Sequence, residues 1–375
     1  MIFRDIEWGK LAEIIKKGNK RVIIYGAGMI GRVIAPYFIC KYEIAEYVEC
    51  FVDADLRKQG DIISAGGYSY EIKAPEYLYR KRENRILLIT NSKFSSVVKF
   101  LNDIKELDET EGFIIPMMQL RALDDINPIN VEKISEKPLI PKTIHYCWFG
   151  RKEMPESLQK CIFSWKEHCP DYEIICWNED NFDVNKYRYT KEAYQKKKYG
   201  FVTDVARLDI LLEHGGIYLD TDVTLVKNLD TLLYQEGFVG VEKWGNINTG
   251  GGCGFVQGHP MVKEMLAYRN EFSFVMNDGS LNKETNGYYE TVPFLRHGFR
   301  PDCSMQRIQK VAIYPPCVFS PYDYMSGRMQ KKEYTYGIHH FRGGWMEEEE
   351  RLICQGTRAL FENAERQKET GYNGQ

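Results

Sequence analysis

The sequence predicts an α/β fold in two domains. Apolar strand-length runs alternate with helical segments in both halves, a pattern typical of sheets faced by helices. The length of 375 residues exceeds the size at which one hydrophobic core usually keeps growing. A charged stretch with three prolines, residues 123–141, separates the halves and predicts a linker. We therefore expect one domain over residues 1–130 and a second over residues 136–375.

Three short apolar runs in the first half have the length of buried strands. They cover residues 22–25, 48–53 and 85–90. Their alternation with helices predicts a parallel, Rossmann-like sheet. Residues 18–120 resemble the small Rossmann-like domains attached to bacterial polysaccharide-biosynthesis proteins. A second mononucleotide-binding half, which a complete dinucleotide site requires, is not recognisable.

A glycine turn follows the first of these strands. Gly26, Gly28 and Gly31 have GxGxxG spacing, which lets a backbone approach a phosphate at a helix N-terminus. Asp53 could bind a ribose, although it lies 27 residues after Gly26 rather than the usual ~20. Two interpretations stay open. The four residues form a nucleotide site, or the glycines only permit close packing of strand and helix.

Composition and charge limit the classes of function that the chain can have. The net charge of -3 argues against general nucleic-acid binding, which normally shows a basic surplus. The charged N-terminus lacks the apolar core of a signal peptide, and ten cysteines without a CxxC pair predict reduced thiols in a cytoplasmic protein. Lys196, Lys197 and Lys198 predict a solvated helix end, with contact to an anionic membrane as the alternative.

The second half carries a helix with charged residues at regular spacing. Thr203 is predicted to cap its N-terminus, and Gly215 and Gly216 to end it. Asp204 and Arg207 lie three apart, so they share one face of the helix and can reach one site. The alternative is a surface ion pair worth at most about 1 kcal/mol.

Two aspartates follow the next apolar strand, at positions 220 and 222. Alternate strand residues lie roughly 6.7 Å apart on one face. Two ligands of one divalent ion lie no more than about 5 Å apart. Converging side chains, or a bridging water, would close that gap and turn like-charge repulsion into attraction through a cation. Oxygen ligands favour Mg²⁺ or Mn²⁺ over zinc.

The run from Thr203 to Val223, TDVARLDILLEHGGIYLDTDV, closely resembles the DxD sugar-binding motif of GT-A fold glycosyltransferases. The nearest family is that of yeast-type α-mannosyltransferases and bacterial capsular sugar transferases, with the large clostridial glucosylating toxins as distant relatives. The resemblance covers residues 138–350. It implies a nucleotide-diphospho-sugar transferase domain of the GT-A type.

The resemblance also implies roles for individual residues. It implies four catalytic residues: Asp204, Arg207, Asp220 and Asp222. The implied donor-binding residues are Trp148, which stacks on the base, Asp204, Arg207, Tyr218, Asp220, Asn248 and Trp345. The implied metal ligands, for Mn²⁺ or Mg²⁺, are Asp220, Asp222 and His339. Each residue has an ordinary structural alternative: Trp148 as core, Asn248 in a turn, His339 and His340 at a strand end.

Two departures from the family pattern stand out. Gly344 precedes Trp345 where the family usually has serine, which removes a contact to the diphosphate. Residues 291–293 are Thr-Val-Pro where the family often has Thr-Gly-Pro. The second departure bears on the acceptor side of the site rather than on the fold.

The resemblance therefore implies a metal-dependent, retaining hexosyltransferase. Its donor is a nucleotide-sugar, with a UDP-sugar favoured, and its acceptor a saccharide or lipid-linked glycan in bacterial surface polysaccharide synthesis. We expect a cytoplasmic enzyme, with peripheral association at the inner membrane face as an option. Two alternatives stay open: an NAD(P)-dependent oxidoreductase using the glycine turn, and a non-catalytic sugar-nucleotide sensor.

Overall fold

A computed structural model of the chain describes residues 1–4, 6–80, 83–92, 94–122, 131–325, 327–342, 352–353, 355–360 and 362. The chain divides into two compact units. The first comprises Met1–Asp125, Met325–Gly327 and Met346–Gln375, and the second Ile126–Tyr324 and Arg328–Trp345. Within the described ranges, no helix is both long and apolar enough to cross a membrane.

The first unit contains a seven-stranded sheet. Its strands are β1 (Ile2–Arg4), β2 (Arg21–Tyr25), β3 (Val48–Val52), β4 (Ile62–Ala65), β5 (Tyr68–Lys73), β6 (Arg85–Ile89) and β7 (Glu111–Ile114). The spatial order is β1-β7-β6-β2-β3-β5-β4. Neighbouring strands are parallel except in the β4–β5 hairpin. A central parallel strand is covered on both faces, which explains the continuous apolar run of β2.

Among the described residues of this unit, the helices beside the sheet include α1 (Trp8–Lys17), α2 (Ala35–Lys41), α3 (Phe94–Asn102) and α4 (Ile115–Ala122). The segment directly after the glycine turn differs from the predicted helix, because Ile30–Ile34 form a π-helical turn before α2 begins. The alternation of strand and helix that predicted an α/β fold is confirmed. The assignment of this unit as Rossmann-like stays a prediction.

The second unit is built on a mixed sheet. Its strands are β8 (Thr143–Cys147), β9 (Glu173–Trp177), β10 (Gly216–Tyr218), β12 (Gly237–Val241), β13 (Ile247–Phe255), β14 (Gln306–Ile308) and β15 (Val311–Tyr314). They lie in the order β14-β15-β12-β13-β10-β8-β9. β8 is parallel to both β9 and β10, whereas β13 is antiparallel to β10 and β12. A separate two-stranded sheet pairs β11 (Val223–Leu225) with β16 (Gly337–His339).

The described part of the second unit contains the helices α5 (Glu156–His168), α6 (Arg188–Gln195), α7 (Tyr199–His214), α8 (Pro260–Arg269), α9 (Asn286–Arg296) and α10 (Pro316–Phe319). Successive residues of a strand point to opposite faces of the sheet and pack into different hydrophobic clusters. Ile217 and Phe238 belong to one buried cluster, and their neighbours Tyr218 and Val239 to the other. Because both faces of the sheet are covered, its edges and connecting turns are the places left for a binding site.

Three predictions of local structure need correction or restriction. Thr203 does not cap α7, which begins four residues earlier; its hydroxyl donates to the Tyr199 carbonyl at 3.3 Å within the helix. The predicted linker lies partly outside the described residues, and its described part forms backbone bonds to Leu233 and Tyr234 of the second unit. The predicted second domain, residues 136–375, extends too far at its end, because Met346–Gln375 belong to the first unit. There the Thr357 hydroxyl donates to the Ser95 hydroxyl at 3.0 Å.

Candidate active site

The two aspartates of the DxD motif lie in a turn between two sheets. β10 ends at Tyr218 and β11 begins at Val223, so Asp220 and Asp222 are not residues of one strand. The Val223 N–H donates to the Asp220 carbonyl at 3.0 Å, which closes the turn. The strand spacing of roughly 6.7 Å assumed from the sequence was therefore wrong. The turn itself brings the carboxylates together.

A histidine at the end of β16 completes a three-residue cluster. β11 pairs with β16 in a register that places Val223 opposite His339. One ligand atom from each of Asp220, Asp222 and His339 lies within 4.8 Å of the others. Ligands of a divalent ion with bonds of about 2.0–2.6 Å lie no more than roughly 5 Å apart. These three residues therefore fit Mn²⁺ or Mg²⁺.

Asp222 and His339 form a partly buried ion pair. The His339 Nε2 lies 3.2 Å from the Asp222 Oδ1, and the Arg342 N–H donates to Oδ2 at 2.9 Å. Burial by itself raises the pKa of Asp222, but the charge and hydrogen bond of His339 outweigh it and lower the pKa. Burial lowers the pKa of His339, and the nearby carboxylates reverse this and raise it. A cation bound here would displace the imidazole proton.

Arg207 joins the helix face to the turn. Its Nη2 lies 3.0 Å from the Asp204 Oδ1 and 3.2 Å from the Asp220 Oδ1. Its guanidinium carbon lies 5.0 Å from the centre of the Tyr218 ring, and the Tyr218 hydroxyl donates to Asp220 at 3.1 Å. The predicted contact of Asp204 with Arg207 is thus present. The surface ion pair alternative is wrong, because Arg207 is only 5% exposed.

Burial controls the charge of Asp204. It raises the pKa of this carboxyl to about 6, although the guanidinium of Arg207 works in the opposite direction. At neutral pH Asp204 is therefore mostly ionised and able to accept hydrogen bonds from hydroxyl groups. Its side chain sits beside the fixed positive charge of Arg207.

Glycines on β13 make room for this arrangement. A Cβ on Gly250 would lie 2.1 Å from the Asp220 Oδ2 and 2.6 Å from the Arg207 Nη1. A Cβ on Gly251 would lie 3.3 Å from the His339 Nδ1. Real Cβ contacts of this kind occur rarely or not at all, so the backbone of β13 can reach the cluster only without side chains.

Asn248 lies in the same strand beside the cluster. Its amide donates to the Glu242 Oε1 at 2.9 Å and accepts from the Gly251 N–H at 3.0 Å. Its Nδ2 is 3.4 Å from the His339 Nδ1. The side chain is largely buried and holds the local backbone from within β13, so the turn alternative is wrong. Its contact with a donor sugar stays a prediction.

Trp148 follows β8 at the edge of the sheet where β10 leads into the aspartate turn. Its indole N–H donates to the Lys152 carbonyl at 2.6 Å, and its backbone N–H to the Trp177 carbonyl at 2.8 Å. The side chain is half-buried. Neither core cluster, as far as the structure describes the unit, includes it, which argues against the core alternative. Trp345 and Gly344 lie outside the described residues.

The first-unit residues form a separate group. Asp53 and the turn at Gly26 meet, because the Asp53 Oδ2 accepts the Ala27 N–H at 2.6 Å. They lie in the first unit and do not belong to the cluster around Arg207.

Sequence reasoning missed Glu290. This carboxyl on α9 is 1% exposed and accepts the Thr249 N–H at 2.8 Å, with further bonds to the Thr249 hydroxyl and to Asn286. Thr249 in turn lies 3.5 Å from Arg207. Burial raises the pKa of Glu290 to about 7, against the guanidinium of Arg207. A lone glutamate 41 residues after Thr249 carries no motif that could have indicated it.

Glu290 should make the stability of the fold depend on pH. Its pKa is about 7 in the folded state and 4.5 without shift, so the folded chain binds the extra proton between these values. Stability contributed by that proton is complete below about 4.5 and is lost as the pH rises to about 7. Between pH 5 and pH 8, the wild type should lose about 3 kcal/mol of unfolding free energy through Glu290. We expect this loss to be absent in Glu290→Gln.

Urea unfolding of the full chain at several pH values measures this effect. The difference between wild type and Glu290→Gln cancels the other titrating groups. Asn286 Oδ1 has no partner in the described chain, so an amide flip gives the new glutamine an acceptor. Parallel pH profiles for the two proteins would contradict the assignment.

Comparison with known proteins places part of this site in a family model. Residues 155–239 match a model described as "Glycosyltransferase sugar-binding region containing DXD motif". That range includes Asp204, Arg207, Asp220 and Asp222. Trp148, Asn248, Glu290 and His339 fall outside it.

Curated relatives match over similar lengths. "Inositol phosphoceramide mannosyltransferase 3" of Schizosaccharomyces pombe is 30% identical over 166 residues, 43% of this chain and 46% of the relative. "Mannosyl phosphorylinositol ceramide synthase CSH1" of Saccharomyces cerevisiae is 31% identical over 170 residues, 42% and 43% of the two chains. The matches thus span less than half of these relatives. Together with the family model they support the predicted glycosyltransferase enzyme.

One solved structure, described as "PaToxG Glycosyltransferase", is similar over 54% of this chain and 77% of its own. Its sequence identity is 17% and its TM-score 0.35. A similarity of that size supports no statement about site or activity.

Proposed function

We propose that the chain is a metal-dependent, retaining glycosyltransferase. It transfers a hexose from a nucleotide-diphosphate donor, with a UDP-sugar favoured, to a saccharide or lipid-linked glycan in bacterial surface polysaccharide synthesis. The observation that carries the proposal is the cluster of Asp220, Asp222 and His339 beside the buried Arg207. The DXD family match and the names of the mannosyltransferase relatives support sugar transfer.

Different residues of the site would contact the diphosphate, the sugar and the base of the donor. Asp220, Asp222 and His339 would hold Mn²⁺ or Mg²⁺, which would supply Lewis-acid stabilisation of the developing diphosphate charge. Arg207 keeps a positive charge beside the same place, fixed by Asp204 and Asp220. Asp204 orients the sugar through its hydroxyl groups. Trp148 offers its half-buried ring to the base.

Beyond the metal motif, the sequence offers no obvious nucleophilic carboxylate for a covalent intermediate. Glu290, the buried candidate that the structure adds, has both oxygens engaged by Thr249 and Asn286. Asp204 is held by Arg207. We therefore favour front-face attack: the acceptor oxygen bonds to the anomeric carbon on the side from which the diphosphate leaves, and the acceptor proton passes to the diphosphate.

The same enzyme would have two domains and meet its acceptor at a membrane. The N-terminal unit belongs to the Rossmann-like type and the second to the GT-A type, which the parallel order of the first sheet and the DXD match support. The enzyme works in the cytoplasm and meets lipid-linked acceptors at the inner membrane face. Exposed Lys196 and Lys197, directly after α6, suit anionic head groups there.

Donor specificity is tested by nucleoside diphosphate release from the full chain. A panel of UDP-hexoses and GDP-mannose is incubated with Mn²⁺, with Mg²⁺ or with EDTA. We expect release from one donor, dependent on metal and increased by an acceptor glycan. Binding of a sugar nucleotide without any release would favour a sensor. Binding of NADH alone, with no response to sugar nucleotides, would favour the oxidoreductase and contradict the proposal.

Trp148→Ala separates base stacking from a structural role. If the ring stacks on the base, UDP affinity should fall by about 5- to 150-fold, equivalent to roughly 1–3 kcal/mol. The unfolding free energy should change by less than the roughly 3–5 kcal/mol of a core tryptophan, because the ring is only half-buried. Fluorescence titration with UDP and urea unfolding measure the two effects. Unchanged UDP affinity beside a large stability loss would contradict stacking.

A further inference from the structure

The first unit contains a cavity at the carboxyl edge of its sheet. The cavity has a volume of about 250 Å³, and its lining includes Tyr25, Asp53, Asn91, Val97 and Phe100. β2 and β3 lead into it, and Asn91 follows β6. β2 has β3 on one side and β6 on the other, so the strand order reverses between β2 and β6. Open α/β sheets bind ligands at such a reversal, beyond the carboxyl ends of the strands.

The three glycines of the adjoining turn do not share one explanation. Gly26 has φ +109°, and a Cβ there would lie 2.7 Å from the Thr90 Oγ1. A Cβ on Gly31 would lie 2.0 Å from the Gly26 carbonyl oxygen. Packing of strand against helix requires both of these glycines. Around Gly28, by contrast, no described atom lies within 4 Å of an added Cβ. The turn is therefore open to solvent at Gly28, where close packing does not require a glycine.

Asp53 presents acceptor capacity at the same edge. Its Oδ2 accepts the Ala27 N–H at 2.6 Å, and its Oδ1 accepts the Asp55 N–H at 2.8 Å. Lys58 adds an ion pair with Asp53 rather than a hydrogen bond, because its Nζ lies 3.6 Å from Oδ2. A carboxylate has about four acceptor positions, so two backbone donors leave room for two hydroxyl donors. A vicinal diol supplies those two, whereas a phosphate would be repelled.

The size and lining limit what else can enter. About 250 Å³ is below the ~300–1,000 Å³ of usual ligand pockets, which excludes a whole dinucleotide and fits one nucleoside. Phe100 and Val97 give one wall an apolar surface, and the Phe100 ring lies 6.1 Å from that of Tyr25. A flat heterocycle can lie against this wall while its ribose reaches Asp53.

We propose that this cavity binds the nucleoside part of a ribonucleotide. Asp53 accepts the two ribose hydroxyls, the base lies along Phe100 and Val97, and the phosphate leaves the cavity across the open backbone at Gly28. The binding site is separate from the sugar-transfer site and does not depend on the function proposed for it. The group that the site recognises is the ribose diol. Adenine and uracil ribonucleotides both carry this diol and are the two candidate ligands.

The test is equilibrium binding of AMP and UMP to the full chain by calorimetry, in an Asp222→Asn background with EDTA present. We expect one of the two to bind at one equivalent per chain. The 2′,3′-dideoxy form of that nucleotide should bind at least tenfold more weakly. Asp53→Asn should cause a similar loss, while its neighbour Asp55→Asn, which pairs with exposed Arg57, should leave binding unchanged.

Gly28→Val provides an independent arm that does not endanger the fold, because the site of its side chain is open. It should reduce nucleotide binding at least tenfold with an unchanged thermal melt. Failure of both nucleotides to bind at millimolar concentration would overturn the proposal. So would equal binding of ribose and dideoxy forms, or unchanged binding by both Asp53→Asn and Gly28→Val.

Discussion

Asp222→Asn is expected to lower donor turnover at least about 100-fold while the chain stays folded. Removing a single group that stabilises transition-state charge costs about 10²–10³ in comparable sites. Asp222 is one of the three residues in the cluster proposed to hold the metal, and its carboxylate also stabilises the charge of His339. Asparagine keeps the shape and an acceptor for the Arg342 N–H but removes the charge. Nucleoside diphosphate release and thermal melting are measured on the same sample.

Asp171→Asn is the matched control. Asp171 lies before β9, at the opposite end of the sheet, and forms an exposed ion pair with Lys142. Exposed pairs of this kind contribute little, so turnover and melting should both stay near wild type. Wild-type turnover by Asp222→Asn, with metal still required, would mean that the metal ligands lie elsewhere.

Arg207→Met is expected to destabilise the fold by about 3–5 kcal/mol, in addition to removing turnover. The variant leaves the carboxylates of Asp204 and Asp220 without their shared partner in a largely buried place. The hydroxyl of Thr249 also loses its neighbour at 3.5 Å. Breaking a buried pair from one side costs far more than the pair contributes, because an uncompensated charge remains.

Arg188→Met on α6 is the control for this substitution. Arg188 is exposed and pairs with Glu192 one helical turn away, so a loss below about 1 kcal/mol is expected. Urea unfolding of both variants gives the comparison. Equal small losses would show that Arg207 does not hold the two carboxylates in solution. A loss that shrinks as the pH falls below about 6, where Asp204 is protonated, would strengthen the assignment.

Local spacing was enough to predict part of the site. The i,i+3 relation of Asp204 and Arg207 correctly predicted their contact, since neighbouring turns of a helix share a face. The end of α7 at Gly215, which has φ +67°, followed from glycine's tolerance of that conformation. Spacing could not show that Arg207 is buried, because burial depends on β13, forty residues further on.

Local spacing could not predict contacts between residues that are far apart in the sequence. His339 reaches Asp222 only because β16 pairs with β11, two three-residue strands with little pattern of their own. The family resemblance, not the spacing, pointed to that histidine. Glu290 reaches the site through Thr249, and no motif indicated a contact between these two residues. The turn at Asp220 was mistaken for strand because β10 is only three residues long.

The central claim is that Asp220, Asp222 and His339 together hold one divalent ion that receives the donor diphosphate. Electron paramagnetic resonance of Mn²⁺ tests it directly, by counting bound ions per full chain in the presence and absence of UDP. The account predicts one bound Mn²⁺ per chain for the wild type, tightened by UDP, and its loss in Asp222→Asn. Binding of the same ion with the same affinity by Asp222→Asn, or no bound Mn²⁺ in the wild type with UDP present, would contradict it.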